Sequence, residues 1–248
     1  QNQNAAAVYQ FGVIQENYVW LDGTEVQGLE AADHDSLSTP HRYLLPAVAA
    51  GEHVAVYGDY DVDGVTATAL LYKFLKSVGA IVDFYIPDRH NEGYGLNIPA
   101  INRLIKKGTK LFISVDCGIT SVGEVEFAKT MGADFIITDH HTCKDEIPRA
   151  VAVINPKRTD TLYGFDGLCG AGVAFKLCLA VAMSLGMESK SVFMEYVDLA
   201  AIGTVADVVP LLDENRVITE KGIKALQNTK NQGIKAILSV AGMGNKLP

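Results

Sequence analysis

Three acids stand at alternate positions in Asp59-Tyr60-Asp61-Val62-Asp63-Gly64, and two histidines follow an acid in Asp139-His140-His141. Carboxylates packed this closely repel one another, and a cation is the usual relief. Adjacent imidazoles point in different directions, so His140 can bind a metal while His141 faces a substrate. A further acid, Asp116, ends the apolar run Leu111–Val115. Mixed carboxylate and imidazole donors favour Mn²⁺ or Mg²⁺ over a thiolate-loving metal such as structural zinc. Two such ions about 3.5–4 Å apart could clamp a phosphodiester and acidify a bridging water. Asp116 is then the candidate for the carboxylate shared between them.

Each motif also has a plainer reading. The first resembles the calcium loop of an EF-hand, but that loop needs a bidentate Glu at its twelfth position, which here is Leu70, and a helix before it rather than a strand. An acidic surface turn remains open for Asp59–Gly64, as do a helix N-cap for Asp116 and a packed strand end for the two histidines. What favours chemistry is joint placement, since all three follow expected strands. Other candidates lie in loops. In Pro87–Asn97, Arg89 and His90 could touch phosphate and Tyr94 could stack on a base or sugar. Gly170 and Gly172 precede an expected helix and could offer backbone N–H groups to an anion, although tight helix–sheet packing explains them as well. There is no GxxxxGK[ST] phosphate loop, and Gly93-Tyr94-Gly95 lacks the third glycine of a dinucleotide fingerprint.

The elements that must position these residues are short. Strands are expected at Val54–Tyr57, Ile81–Ile86, Leu111–Val115, Phe135–Thr138 and Val151–Ile154, with helices between them at Val65–Ser77, Pro99–Lys107 and Ser121–Thr130. Strands alternating with helices of 10–15 residues indicate βαβ units and a parallel sheet. Pro99 suits a first helical turn, and Gly108 and Gly132 suit helix C-caps. After Gly170 the pattern is helical: Gly172–Leu185, Ser191–Ala201, Asn215–Gln227 and Gly233–Val240, read as a cap over the sheet's edge. The fold class is therefore α/β, a five-stranded parallel sheet flanked by helices with a mainly helical C-terminal part. Residues 1–45 read as an N-terminal extension, 46–212 as the catalytic unit and 213–248 as a helical segment that could begin a connector. Ligands of open parallel sheets bind beyond the strands' carboxyl ends, where these loops converge.

With 248 residues, 48% of them hydrophobic, the chain can bury a sizeable core in one large α/β domain or two small ones. Its four cysteines form no CxxC pair, so a zinc ribbon is not expected and reduced thiols of a cytoplasmic protein are. No apolar run is long enough to cross a membrane. A net charge of −8 argues against nucleic acid at first sight. The charge is unevenly spread, however: residues 1–41 hold acids and no Lys or Arg, whereas Arg216–Pro248 holds six basic residues against Glu220 alone. Carboxylates gathered for metals add to the negative total.

Taken in order, Gly58–Gly64, Glu92–Leu96, Val115–Ile119, Asp139–His141 and Gly203-Thr204-Val205-Ala206-Asp207 resemble the motifs of the DHH phosphoesterase superfamily, most closely its RecJ-type branch. The resemblance implies a Mn²⁺-dependent 5′-to-3′ exonuclease on single-stranded DNA, used in repair and recombination. It implies Asp61, Asp63, Asp116, His140 and Asp207 as metal ligands, with Asp59 as a supporting acid or further ligand and His141 facing the scissile phosphate, either stabilising developing charge or handling a proton. Asp207 enters only through this resemblance, in competition with Asp198. A single-strand-binding protein or a helicase fits as a loading partner. The rival expectations are a phosphodiesterase for short oligonucleotides or cyclic dinucleotides, and a non-catalytic nucleic-acid-binding relative. The second domain and the OB-fold usual in such enzymes have no counterpart after Pro210.

Overall fold

The computed structural model describes residues 40–160 and 163–243. Five strands, β1 (His53–Tyr57), β2 (Ile81–Tyr85), β3 (Thr109–Val115), β4 (Asp134–Thr138) and β5 (Ala152–Ile154), pair in parallel in the order β2-β1-β3-β4-β5. All five expected strands are present, with ends moved by a residue or two. Both faces of this sheet are covered, which is why the strands read as nearly unbroken apolar runs. Val54, Val56, Ile113, Val115 and Ile136 point to one face, and Ala55, Tyr57, Phe112, Phe135 and Ile137 to the other.

The second face is closed by α3 (Ile98–Lys106) and α4 (Val122–Thr130) through Ile101, Leu104, Val125 and Ala128. The first face carries α1 (Pro40–Ala49), α2 (Val62–Ser77) and α5 (Gly170–Ser184). Outside them, α6 (Ser189–Ala206) packs on α2 and α5, α7 (Asp213–Leu226) packs on α6, and α8 (Gln232–Val240) follows. The C-terminal helices thus cover a face of the sheet, not its edge. Their apolar stripes need a broad partner surface, and the face carrying Val54, Ile113 and Ile136 supplies it.

Three helices differ most from the sequence reading. Helix α1 was not expected; it begins within the stretch read as an extension, and its buried Leu44 and Ala47 join the core. Residues 1–39 lie outside the described residues. Helix α2 starts three residues early, so Asp61 becomes its N-cap and accepts from the Gly64 N–H at 2.9 Å. Helix α6 continues past Ala201, through Gly203. At the switch between β1, which turns back to β2, and β3, which leads the other way, the strand ends open a crevice where such sheets bind ligands.

Candidate metal centre

Each acidic loop leaves the sheet at this crevice. Tyr57 pairs with Ser114, and Val115 with Thr138, so the ends of β1, β3 and β4 are level. The ladder even runs on: Asp116 N–H donates to Thr138 O and Asp139 N–H to Ile154 O, both at 3.0 Å. Asp116 has φ 61°, the left-handed region that a side-chained residue adopts at a cost of about 1–3 kcal/mol. That turn aims its carboxylate back across the crevice.

His140 lies at the centre. Its Nε2 is 3.1 Å from Asp116 Oδ1 and 3.8 Å from both Asp63 Oδ2 and Asp207 Oδ2. Donor atoms fall into three groups, each within 4.8 Å: Asp116 with His140 and His141, Asp63 with His140 and Asp207, and Asp59 with Asp61 and Asp116. Asp116 belongs to two of them, as a shared ligand must. Asp207 comes from the C-cap of α6, far along the chain from the others. Asp198, its rival, is buried elsewhere and accepts from Thr229 Oγ1 at 2.5 Å.

The donor set suits a hard cation on its own evidence. Asp59 Oδ1, Asp116 Oδ1 and His140 Nδ1 are buried without a hydrogen-bond partner among the described residues. Burial, and then the charges of Asp63 and Asp61, push the Asp116 carboxyl up to about 10. Burial raises Asp63 and Asp59 as well. His140 is held below the ordinary imidazole value, again by burial. These shifts describe a pocket that resists its own negative charge, the condition a bound cation reverses.

Asp63 is fixed in advance. Gly170 N–H and Ala171 N–H, at the start of α5, donate to its two oxygens at 2.6 and 2.8 Å. The helix N-terminus offered to a substrate anion by sequence is thus taken by an internal one; the physics is the same, and the anion is Asp63. Gly172 N–H turns instead to Cys169 Sγ at 3.3 Å. The approach requires glycine: a Cβ on Gly170 would sit 2.4 Å from Asp116 Cβ, and one on Gly203 2.7 Å from Asp63 Oδ1.

His141 stands beside the cluster, half-exposed. Asp139 accepts from its Nδ1 at 2.7 Å and from the backbone N–H groups of Ile119, His140 and His141. The Asp139 hydrogen bond raises His141 to about 9, so it is an imidazolium at neutral pH. Asp139 itself stays below the usual carboxylate range: burial opposes this, but the His141 bond and charge outweigh it. The sequence reading gave Asp139 no role of its own, although a strand-end acid directly before two histidines is the signal for one. Tyr94 Oη lies 3.4 Å from His141 Nε2, with Tyr60 edge-on to the Tyr94 ring and the Arg89 guanidinium 5.2 Å over Tyr60. His90 is exposed, tied into its loop by a backbone N–H on Asp88, and belongs to none of the three donor groups.

Residues 53–204 match the family model described as DHH family, N-terminal domain. The single-stranded-DNA-specific exonuclease RecJ of Bacillus subtilis is 43% identical over 224 residues, 90% of this chain and 26% of that protein. The Escherichia coli protein of the same name is 39% identical, over 80% of this chain and 36% of its own length. A crystal structure of exonuclease RecJ bound to manganese superposes with a TM-score of 0.76 at 36% identity, covering 84% of this chain and 52% of that one. The chain therefore spans a quarter to a third of the length of these curated relatives.

Proposed function

The chain belongs to the DHH family, and from that membership we propose that it is the catalytic part of a Mn²⁺-dependent exonuclease that hydrolyses single-stranded DNA from the 5′ end in repair and recombination. Residues 46–212 are the catalytic unit, and 213–243 a helical segment packed beside it. The observation that carries the reading is the convergence of Asp61, Asp63, Asp116, His140 and Asp207 from four separate segments, with Asp116 in two donor groups.

In this reading those five side chains hold two Mn²⁺ ions, or Mg²⁺, with Asp59 as a supporting acid. The ions when bound supply Lewis acidity at the phosphoryl oxygens and acidify a coordinated water. The chain's own residues do the rest. Asp63 keeps one orientation because α5 holds both its oxygens. His141, kept protonated and oriented by Asp139, faces the scissile phosphate and stabilises the charge that develops there. Tyr94 and Tyr60 offer aromatic faces to bases or sugars, and Arg89 a cation to the backbone. No helix among the described residues is long and apolar enough to cross a membrane.

Oligonucleotides labelled at either end test this with Mn²⁺, Mg²⁺ or chelator. Mn²⁺-dependent release of short products from the 5′ end, lost in His140→Ala, is expected. Undiminished cleavage by Asp116→Ala with unchanged Mn²⁺ dependence would sink the mechanism, and preference for a dinucleotide over a long strand would sink the substrate class.

A further inference from the structure

Resting on that reading of the metal centre, we infer that Asn215 is a positioning residue that sets the separation of the Asp63 and Asp207 carboxylates. Asn215 is wholly buried in the first turn of α7. Its Nδ2 donates to Gly167 O at 2.6 Å and to Pro210 O at 3.0 Å. Both neighbours are carbonyl oxygens, so the amide nitrogen must face them. One –NH₂ group therefore joins two loops that lead to the two sides of the site. The first, ending at Cys169, delivers the Gly170 and Ala171 amides that grip Asp63. The second leaves α6 at Asp207 and passes through Val208, whose φ of 59° makes it a strained turn.

Two further observations support the clasp. Asn215 Oδ1 is buried with no partner among the described residues, so this position keeps an amide whose acceptor half is wasted. What the fold retains is the pair of donors, which no aliphatic residue or carboxylate supplies. The adjacent Glu214, fully buried, accepts from Tyr163 Oη and pairs with Lys176 Nζ at 2.8 Å, tying the same 163–169 segment and α5 to the same turn of α7. The start of α7 thus grips the Asp63 side three times and the Asp207 side once.

The test uses Mn²⁺ alone as probe, with unbound Mn²⁺ read by electron paramagnetic resonance, and hydrogen exchange on the metal-free chain. Asn215→Ala, with Asn215→Ser as the milder second variant, is compared with Leu104→Ala, a core truncation on the opposite face of the sheet. The Asn215 variants weaken Mn²⁺ binding by about 10- to 100-fold, the range for residues that orient metal ligands from behind. They also speed exchange in residues 167–171 and 207–211 together, while Leu104→Ala does neither. A folded Asn215 variant with wild-type Mn²⁺ affinity overturns the inference, as does equal weakening by Leu104→Ala; if neither Asn215 variant folds, the positioning role is withdrawn in favour of a folding one. Equal Mn²⁺ affinity of wild type and His140→Ala would instead break the reading of the metal centre, and the exchange pattern would still judge the clasp.

Discussion

Asp116→Asn should stabilise the metal-free protein while abolishing its response to Mn²⁺. Asp116 has its carboxyl raised from 3.8 to about 10 by burial and by the charges of Asp63 and Asp61. At neutral pH the folded chain therefore holds a proton on Asp116 that the unfolded chain releases. Because the native state binds more protons, this group's effect on stability worsens as pH rises from about 4 to about 10, by about 1.4 kcal/mol per unit. About three units separate 3.8 from pH 7, so the ceiling on the penalty there is about 4 kcal/mol, falling to about 1.5 kcal/mol at pH 5. An asparagine has the same shape and no proton to take up, so it escapes the penalty. Urea unfolding in chelator at pH 5, 6, 7 and 8 should show the variant more stable than wild type by a margin that widens with pH. Adding Mn²⁺ at 100 times its Kd should stabilise wild type by about 2.7 kcal/mol and leave the variant nearly unmoved. A variant that in chelator is no more stable than wild type at pH 7, or a margin independent of pH, would refute the claim that Asp116 is held in the fold against its own charge.

Other consequences can be checked the same way. Gly170→Ala would place a Cβ 2.4 Å from Asp116 Cβ, so it should cost about 1–3 kcal/mol in urea unfolding and weaken Mn²⁺ binding by displacing the amides on Asp63. Asp139→Asn removes the main cause of the raised His141 value, which should fall from about 9 towards the ordinary 6.5 in an NMR titration of the metal-free protein. The stabilising effect of that pair is complete below the unfolded histidine's value and fades as pH rises through about 9, so the variant should lose stability chiefly at neutral and acid pH. Asp198→Ala should cost about 1–3 kcal/mol by stranding Thr229, yet leave the Mn²⁺ dependence of cleavage unchanged.

The sheet was legible because its strands are buried on both faces, and a β-branched run such as Val54–Tyr57 has few other uses. The cluster was legible to the extent that its acids follow those strands. Short-range logic ended α6 at Ala201, whereas it continues through Gly203, where Ala171 Cβ and Asp63 leave no room for a side chain. The same short-range logic hid α1, where Pro46 sits inside the helix. It also assigned the α5 N-terminus to a ligand, since spacing cannot show that Asp63, 107 residues earlier, reaches it first. Asn215 was invisible for a related reason: its two partners are backbone carbonyls, which leave no mark in a sequence.

The counter-charges in this crevice explain how so acidic a cluster can be built before any metal arrives. Two acids are held by local donors: Asp63 by the amides of α5, although burial still raises it, and Asp139 by His141 and three backbone N–H groups. Both end up rigid, and neither depends on a cation for its orientation. Asp116 receives less help; its Oδ1 lies beside the His140 ring with no hydrogen-bond donor among the described residues, and its backbone is held in a left-handed turn. The fold therefore concentrates its unrelieved electrostatic cost on the one carboxylate common to two donor groups. At neutral pH a proton on Asp116 relieves that cost, and a bound cation takes the proton's place at a carboxylate the fold already holds in position. That arrangement makes metal affinity depend on the rigidity of the neighbours as much as on the ligands themselves, and it is why loosening either Asp63 or Asp207 from behind should be felt first as lost affinity for Mn²⁺.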